Sequence, residues 1–214
     1  MKHKIEKNTV QETLILPLYS RKLCTELYPN LYQDETAVRL IDEIDYDFSE
    51  AEKKSRSLMQ RFGALEVAMR QNDLAWEVRD YLKTHPSAAV FFASGVFYYF
   101  LTQQVKALVQ QMADAFSGGV LVFDAANRTA VKMIAKTWLR TAKIKDVGAY
   151  FAVSDAPKEI GEWDNRLQVT SRGYMLGYND LRDHSVSGFF RFLARVGDNG
   201  MKMQIVKIRF GGKA

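Results

Sequence analysis

Two apolar runs on either side of an amphipathic segment constrain the fold of this chain more than any other feature. Residues 88–95 (AAVFFASG) and 120–127 (VLVFDAAN) are almost continuously apolar, which is typical of strands covered on both faces. Between them, residues 101–116 place apolar side chains on one helical face, and residues 117–119 (SGG) end the helix. The pattern predicts a βαβ unit with parallel strands and a right-handed crossover.

The first third of the chain has the spacing of helices. Asp34 is a predicted N-cap, and Ser49 with Glu52 three residues later is the pattern of a capping box. Apolar residues then recur at helical spacing between positions 58 and 82. The pair HP at 85–86 is predicted to end that helix, because proline disfavours helical geometry in the residue before it.

The last third is predicted to mix helices and strands. Asn127 is expected to cap a helix that turns Trp138 inward, and residues 147–165 are expected to be irregular. A strand is predicted within 166–178 and another over 204–210, where apolar residues alternate. Residues 184–200 have helical spacing, and a hairpin turning through 197–200 is the competing interpretation.

These elements predict one structural domain in four parts. Residues 1–87 form an N-terminal helical cap and a leading helix, and residues 88–127 form the βαβ core. Residues 128–162 supply a helix and an irregular lid. Residues 163–214 complete the sheet with a strand, a helix and a strand. An α/β fold is therefore expected.

Composition and charge argue against several classes of protein. The formal charge is +5, but Lys and Arg are scattered, so we expect no nucleic-acid partner. A single Cys forms no internal disulfide and fits a reducing compartment. Three His and one Cys, far apart, predict no metal site. Without a signal peptide or an apolar run of ~18 residues, a cytoplasmic protein without membrane contact is expected.

Candidate ligand-binding residues follow from the predicted strand ends. In parallel sheets, ligands bind beyond the carboxyl ends of the strands, here residues 94–99 and Asp124. Gly95 would allow a ligand to approach the backbone closely, whereas the alternative is a tight turn beside an aromatic core. Asp124 would either contact the ligand or cap the next helix. Arg70 is either a surface charge or a clamp that holds a carboxylate through two parallel hydrogen bonds.

Several of these segments also resemble the leucine carboxyl methyltransferase family, in particular its bacterial tetracenomycin-type polyketide O-methyltransferases. In chain order, they are TLILPLYSRKL, IDYDF, MRQNDLAWEVRDYLKTHPSAAV, FFASGVFYYFLTQQVKALVQQMADAFSGGVLVFDAAN and IVKIRF. The resemblance implies a class I S-adenosylmethionine-dependent methyltransferase. Its fold would be a seven-strand doubly wound sheet, with N-terminal helices and a later insertion covering the substrate.

The same resemblance implies that residues are missing between Val90 and Phe91. HPSAAV matches the beginning of the family's first strand, and FFASGVFYYF matches its fourth. The Gly-rich cofactor loop, the acidic residue for the ribose and the segment beside the adenine fall between them, ~60 residues or more. A natural deletion, an engineered one and an incomplete sequence all explain the join. We favour the last, because losing central strands would uncover apolar helix faces.

The resemblance also implies roles for individual residues. Arg70 matches the arginine that holds the methionyl carboxylate of the cofactor, although Asn72 and Ala75 nearby depart from the family pattern. Ser94 stands where a Glu is common, and Gly95 and Val96 match the turn beside the cofactor. The segment that faces the methyl-transfer site contains Tyr98 and Tyr99, and Asp124 is grouped with them as a substrate-binding candidate.

The resulting hypothesis is methyl transfer from S-adenosylmethionine to an oxygen of a small-molecule or terminal carboxylate, or of a hydroxyl. The cofactor would supply the methyl group and the protein would align it with the acceptor. A carboxylate is already ionised at neutral pH, so it needs no strong base, and the sequence has no recognisable catalytic triad. The alternative is a non-catalytic binding protein that has lost the cofactor. The sequence indicates neither the methyl acceptor nor the oligomeric state.

Overall fold

Helices make up about half of the described residues in the computed structural model, which covers residues 2–5, 10–91, 93–134, 136 and 148–211. The helices are α1 (Val10–Leu27), α2 (Glu35–Glu43), α3 (Ser49–Ser55), α4 (Leu58–Leu82), α5 (Thr102–Ala115), α6 (Arg128–Ile134), α7 (Ala156–Gly161) and α8 (Gly188–Arg195). A 3₁₀ turn at Phe97–Tyr99 precedes α5, and a π turn at Val196–Gly200 follows α8. No described helix is both long and apolar enough to cross a membrane.

Three strands form the main sheet. They are β3 (Val120–Ala125), β4 (Leu167–Gly173) and β5 (Gln204–Phe210), in the order β3-β5-β4. β5 lies between the other two and is antiparallel to both, so β3 and β4 run in the same direction. Two shorter strands, β1 (His3–Lys4) and β2 (Ile44–Asp45), pair in parallel elsewhere. The chain is thus a mixed α/β protein with small sheets.

Helices pack on both faces of the main sheet because β5 alternates between them. Val206, Ile208 and Phe210 are buried in an apolar cluster with residues of α5 and α7. Ile205, Lys207 and Arg209 point to the opposite face, toward α4. This second face is polar at Lys207 and Arg209 and apolar at Ile205. The long helix α4 therefore lies over a sheet face that is only partly hydrophobic.

A second apolar cluster joins α4 to α1 and to the segment after β4. It includes Leu65 and Met69 of α4, Cys24 of α1, and Tyr174. Cys24 is fully buried, and its burial raises the pKa of the thiol to about 12. The helical layer on this side is therefore tied to α4 by close apolar packing.

The predicted βαβ unit is wrong. Residues 88–96, of which 92 lies outside the described residues, form neither helix nor strand, and the side chain of Phe91 is 88% exposed. β3 pairs with β5, which is distant in sequence and antiparallel, and the described residues between 88 and 95 give β3 no parallel partner. An apolar run by itself does not specify a strand, because burial depends on a partner that the run does not encode.

Other predictions are confirmed at the level of elements. Asp34 caps α2 by accepting a hydrogen bond from the Ala37 N–H at 2.8 Å, and Asn127 caps α6 through the Ala130 N–H at 3.0 Å. Helix α4 ends at Leu82, before the HP pair, and α5, β4 and β5 lie where the patterns indicate. Helix α8 forms instead of the hairpin. The region expected to be irregular contains one short helix, α7, and Trp138 lies outside the described residues.

Because residues of β5 alternate between the two faces of the sheet, substitutions at neighbouring positions should differ strongly in their effect on stability. Ile208→Ala removes a fully buried side chain from the central strand and should lower the free energy of unfolding by about 2–5 kcal/mol. Arg209→Ala, at an exposed position, should change it by less than about 0.5 kcal/mol. Urea unfolding followed by circular dichroism measures both. Equal losses for the two variants would contradict the assigned register.

Candidate functional site

Helix α4 places a row of charged residues against the sheet. Glu66, Arg70, Asp73 and Glu77 follow the spacing i, i+4, i+7 and i+11, so they share one side of the helix. Asp73 and Glu77 are buried, and each of the four side chains meets a polar group from another segment. We call these four residues the polar row of α4.

Arg70 forms an ion pair with Asp124, which lies near the C-terminal end of β3. Its Nη1 lies 3.3 Å from Oδ2 of Asp124, whose side chain is only 2% exposed. The other carboxylate oxygen, Oδ1, accepts a hydrogen bond from the backbone N–H of Gly95 at 2.7 Å. One buried carboxylate therefore connects α4, β3 and the turn that precedes the 3₁₀ segment. Burial alone would lower the pKa of Arg70, but Asp124 and nearby anions raise it overall.

Gly95 has the backbone conformation that the contact with Asp124 requires. Its φ is +71°, in the left-handed region that favours glycine. A Cβ atom at this position would lie 3.7 Å from both Nη atoms of Arg70, at ordinary contact distance. The requirement for glycine therefore comes from the backbone dihedral angle rather than from lack of space.

Two buried tyrosines surround the guanidinium. Tyr174 donates a hydrogen bond to Oε1 of Glu66 at 3.1 Å. The Tyr98 hydroxyl is buried near Asp124, yet it makes no hydrogen bond of acceptable geometry within the described part of the chain. Burial raises the pKa of both phenols, and the negative charges of Glu66 and Asp124 add to that effect. Both hydroxyls are therefore neutral at physiological pH.

The structure brings together only part of the predicted site. Arg70, Gly95, Tyr98 and Asp124 meet in one cluster, with Tyr98 turned inward and its neighbour Tyr99 turned outward, 45% exposed. The Val96 side chain is also exposed, and Ser94 is half-buried. Asp124 does not cap the following helix, since Asn127 does so.

Arg70 retains hydrogen-bonding capacity that its protein partners do not use. The guanidinium carries five N–H donors, whereas its one hydrogen bond among the described residues is to Asp124. Its Nε is buried and has no partner there. About 20% of the side-chain surface is exposed. A planar anion such as a carboxylate fits such an arginine, because it can accept two parallel hydrogen bonds.

The second half of the polar row contains a buried carboxyl that is protonated at neutral pH. Asp73 accepts one hydrogen bond from the Asn179 side chain at 3.2 Å, and its Oδ2 has no partner among the described residues. Burial, together with the charges of Asp198 and Glu77, raises its pKa to about 8. Asp198 in turn accepts the backbone N–H groups of Met175 and Leu176. The contact between Asp73 and Asn179 joins α4 to the segment after β4, and the contacts of Asp198 join that segment to the π turn.

Sequence reasoning identified Arg70 and missed the rest of the polar row. Glu66, Asp73 and Glu77 were not predicted as site residues, although their spacing relative to Arg70 is visible in the sequence. Charged residues at i, i+4, i+7 and i+11 on a helix that is otherwise largely apolar indicate a polar contact surface. No group of three or more His, Cys, Asp or Glu in the described ranges could hold a metal ion.

The buried ion pair predicts that substitutions of Arg70 and Asp124 have coupled effects on the free energy of unfolding. Arg70→Met leaves Asp124 buried without its counter-charge and should reduce the free energy of unfolding by about 3–5 kcal/mol. Asp124→Asn retains an acceptor for the Gly95 N–H. The double variant should therefore lose at least about 1 kcal/mol less than the sum of the two single losses. Chemical denaturation of all four proteins gives this coupling energy.

Arg182→Met is the matched control, because the Arg182 side chain is 84% exposed and pairs with Asp180 at the surface. Its effect should stay within about 0.5 kcal/mol. Strictly additive losses at Arg70 and Asp124 would show that the two side chains do not interact.

Asp73 predicts a pH dependence of stability. Its pKa is about 8 in the folded chain and near 3.8 when unfolded, so the folded state holds an extra proton between these values. Stability should then fall as the pH rises from 4 to 8, by up to about 1.4 kcal/mol per unit from this group. Asp73→Asn should remove that slope and be the more stable protein at pH 8.

Denaturation at a series of pH values checks this expectation by the difference between the two curves. The exposed carboxylate Asp180 provides the control, since Asp180→Asn should leave the slope unchanged. Parallel curves for the wild type and Asp73→Asn would refute a protonated Asp73.

Comparison with known proteins does not assign this chain to a family. No family model, no curated protein and no solved structure matches the chain. The function must therefore be inferred from the arrangement of side chains around Arg70 and from the sequence resemblance.

Proposed function

We propose that this protein is an S-adenosylmethionine-dependent O-methyltransferase that acts on the oxygen of a small-molecule or terminal carboxylate. The observation that carries the proposal is the Arg70 guanidinium, which is held against Asp124 and still has free donors. The sequence resemblance assigns this arginine to the methionyl carboxylate of the cofactor. The protein would have the methyltransferase type of doubly wound sheet, of which β3, β4 and β5 form one part. Doubly wound sheets can include an antiparallel strand.

The residues around Arg70 fit the carboxylate end of such a cofactor. The unpartnered Nε and the free Nη hydrogens of Arg70 can donate to a carboxylate, while Asp124 fixes the orientation of the guanidinium. Gly95 keeps the adjacent backbone close to the same group. S-adenosylmethionine, when bound, supplies a methyl group on a positively charged sulfur.

The chain itself would bind and orient the two reactants. The neutral phenol of Tyr98 is buried near the arginine and would limit water there. A carboxylate acceptor arrives ionised, so the reaction requires no strong general base. Tyr99 is exposed and would contact an acceptor only from the outer side of the turn. Alignment of the acceptor is then the main contribution of the protein.

Calorimetry and a transfer assay test the proposal. S-adenosylhomocysteine should bind to the wild type, and Arg70→Lys should weaken this binding at least about tenfold, because lysine cannot form two parallel hydrogen bonds. Arg79→Lys, on the exposed side of α4, should change the affinity by less than about twofold. Methyl transfer from labelled cofactor to a panel of carboxylic acids should produce labelled ester.

Absence of both binding heat and labelled product, with carboxylic acids and with phenols, would overturn the proposal. Labelled phenol ethers in place of esters would change the acceptor class and would require a base.

A second candidate is a non-catalytic protein that binds small carboxylates. It is favoured by the exposed, irregular chain over residues 88–91, where the resemblance expects a strand leading to the cofactor loop. This candidate predicts that acetate or a larger carboxylate binds in an Arg70-dependent way while S-adenosylhomocysteine does not. The same titrations therefore distinguish the two functions.

A further inference from the structure

A groove lies between the C-terminal half of α4 and the polar face of the main sheet. Its larger part has a volume of about 310 Å³ and lies beside Trp76, Thr170 and Arg172. A smaller part of about 250 Å³ continues past Lys83 and Val120. The two parts share Asp80, Lys207 and Arg209, so we treat them as one groove. The volumes suit a small organic ligand.

Basic side chains dominate the groove. Lys83, Arg172, Lys207 and Arg209 carry four positive charges, and Glu77 and Asp80 carry two negative ones, which leaves an excess of two positive charges. This excess matches a phosphate monoester, which has a charge of about −1.5 to −2 at pH 7. A concave surface with a net positive charge also raises the local concentration of anionic ligands.

Two of the cations are held in place by contacts within the protein. The Lys207 ammonium lies 2.7 Å from Oε2 of Glu77, a carboxylate that is buried and also accepts the Tyr178 hydroxyl at 2.7 Å. The Arg172 guanidinium lies over the rings of Trp76 and Tyr178, at 5.7 and 5.3 Å from their centroids. Cations fixed before the ligand arrives cost less conformational entropy on binding.

Arg209 is the cation with the most unused capacity. Its side chain is exposed on the groove face of β5, and it has no hydrogen bond or ion pair among the described residues. It lies two residues from Lys207 on the same face of the strand, so both can reach one anion. Thr170, opposite Lys207 on β4, adds a hydroxyl donor to the same wall.

We propose that this groove is a binding site for a small phosphate-bearing molecule. Arg209, the main anion-binding residue of this site, is separate from the Arg70 cluster, because it pairs with Val120, four residues along β3 from Asp124 and ~13 Å away. The groove wall also includes Ile205, the register partner of Asp124, but none of the Arg70 contacts is used here. The proposal therefore does not rest on the proposed function. Arg209 and Lys207 bind the phosphate, and the exposed face of Trp76 offers an apolar surface to the rest of the ligand.

Isothermal titration with inorganic pyrophosphate tests the site in the full chain. Binding with one-to-one stoichiometry at submillimolar affinity is expected at low ionic strength, weakening as salt is added. Arg209→Gln should weaken it at least about tenfold. Arg182→Gln makes the same change of charge at an exposed position outside the groove and should alter the affinity by less than about twofold. Thermal unfolding confirms that both variants are folded.

Three outcomes would overturn the proposal. They are no binding of pyrophosphate at millimolar concentration, equal weakening by Arg209→Gln and Arg182→Gln, and binding that Arg209→Gln leaves unchanged. Equal weakening would mean that the anion responds only to the net charge of the protein. If the protein retained single-stranded DNA in a strongly salt-dependent way and did not bind pyrophosphate, the ligand of the groove would be a nucleic acid instead of a small molecule.

Discussion

The ion pair between Arg70 and Asp124 is the contact on which the arrangement of the candidate site depends. Asp124 is almost fully buried, so its charge must be balanced where it lies. One of its oxygens meets α4 and the other meets the turn at Gly95, which adopts a left-handed backbone conformation. Helix, strand and turn are therefore fixed relative to one another by a single carboxylate. A ligand at Arg70 would meet a guanidinium that is already oriented.

Helix α4 makes further contacts between charged side chains along the sheet. Its polar row pairs with Asp124 at one end of β3 and with Lys207 of β5 farther along, while its apolar residues pack in the cluster that contains Leu65 and Met69. Apolar packing already resists sliding of the helix along the sheet, because displaced side chains would leave cavities. Paired charges at defined positions give the packing one register, and they leave polar walls on both sides of the helix.

Local patterns predicted the elements well and the pairing of strands poorly. The spacing of apolar residues indicated α5, α8 and β5, and the caps at Asp34 and Asn127 are local hydrogen bonds. β3 instead pairs with a strand about eighty residues later, a contact that no local pattern encodes. Arg70 was predicted to be either a surface charge or a carboxylate clamp, and the resemblance then assigned it to the cofactor. Glu66, Asp73 and Glu77 acquire their roles only once the helix meets the sheet. An apolar stretch around Phe91 was misleading because nothing in the described chain covers it.

The buried thiol of Cys24 gives this protein an internal reporter of opening motions. It is the sole cysteine of the chain, and packing between α1 and α4 excludes solvent from its sulfur. A thiol reagent can modify it only during moments when those two helices separate. The labelling rate, measured without any engineered probe, therefore reports how often α1 and α4 separate. A ligand bound at Arg70 would therefore slow the modification of Cys24, although it would not contact the sulfur.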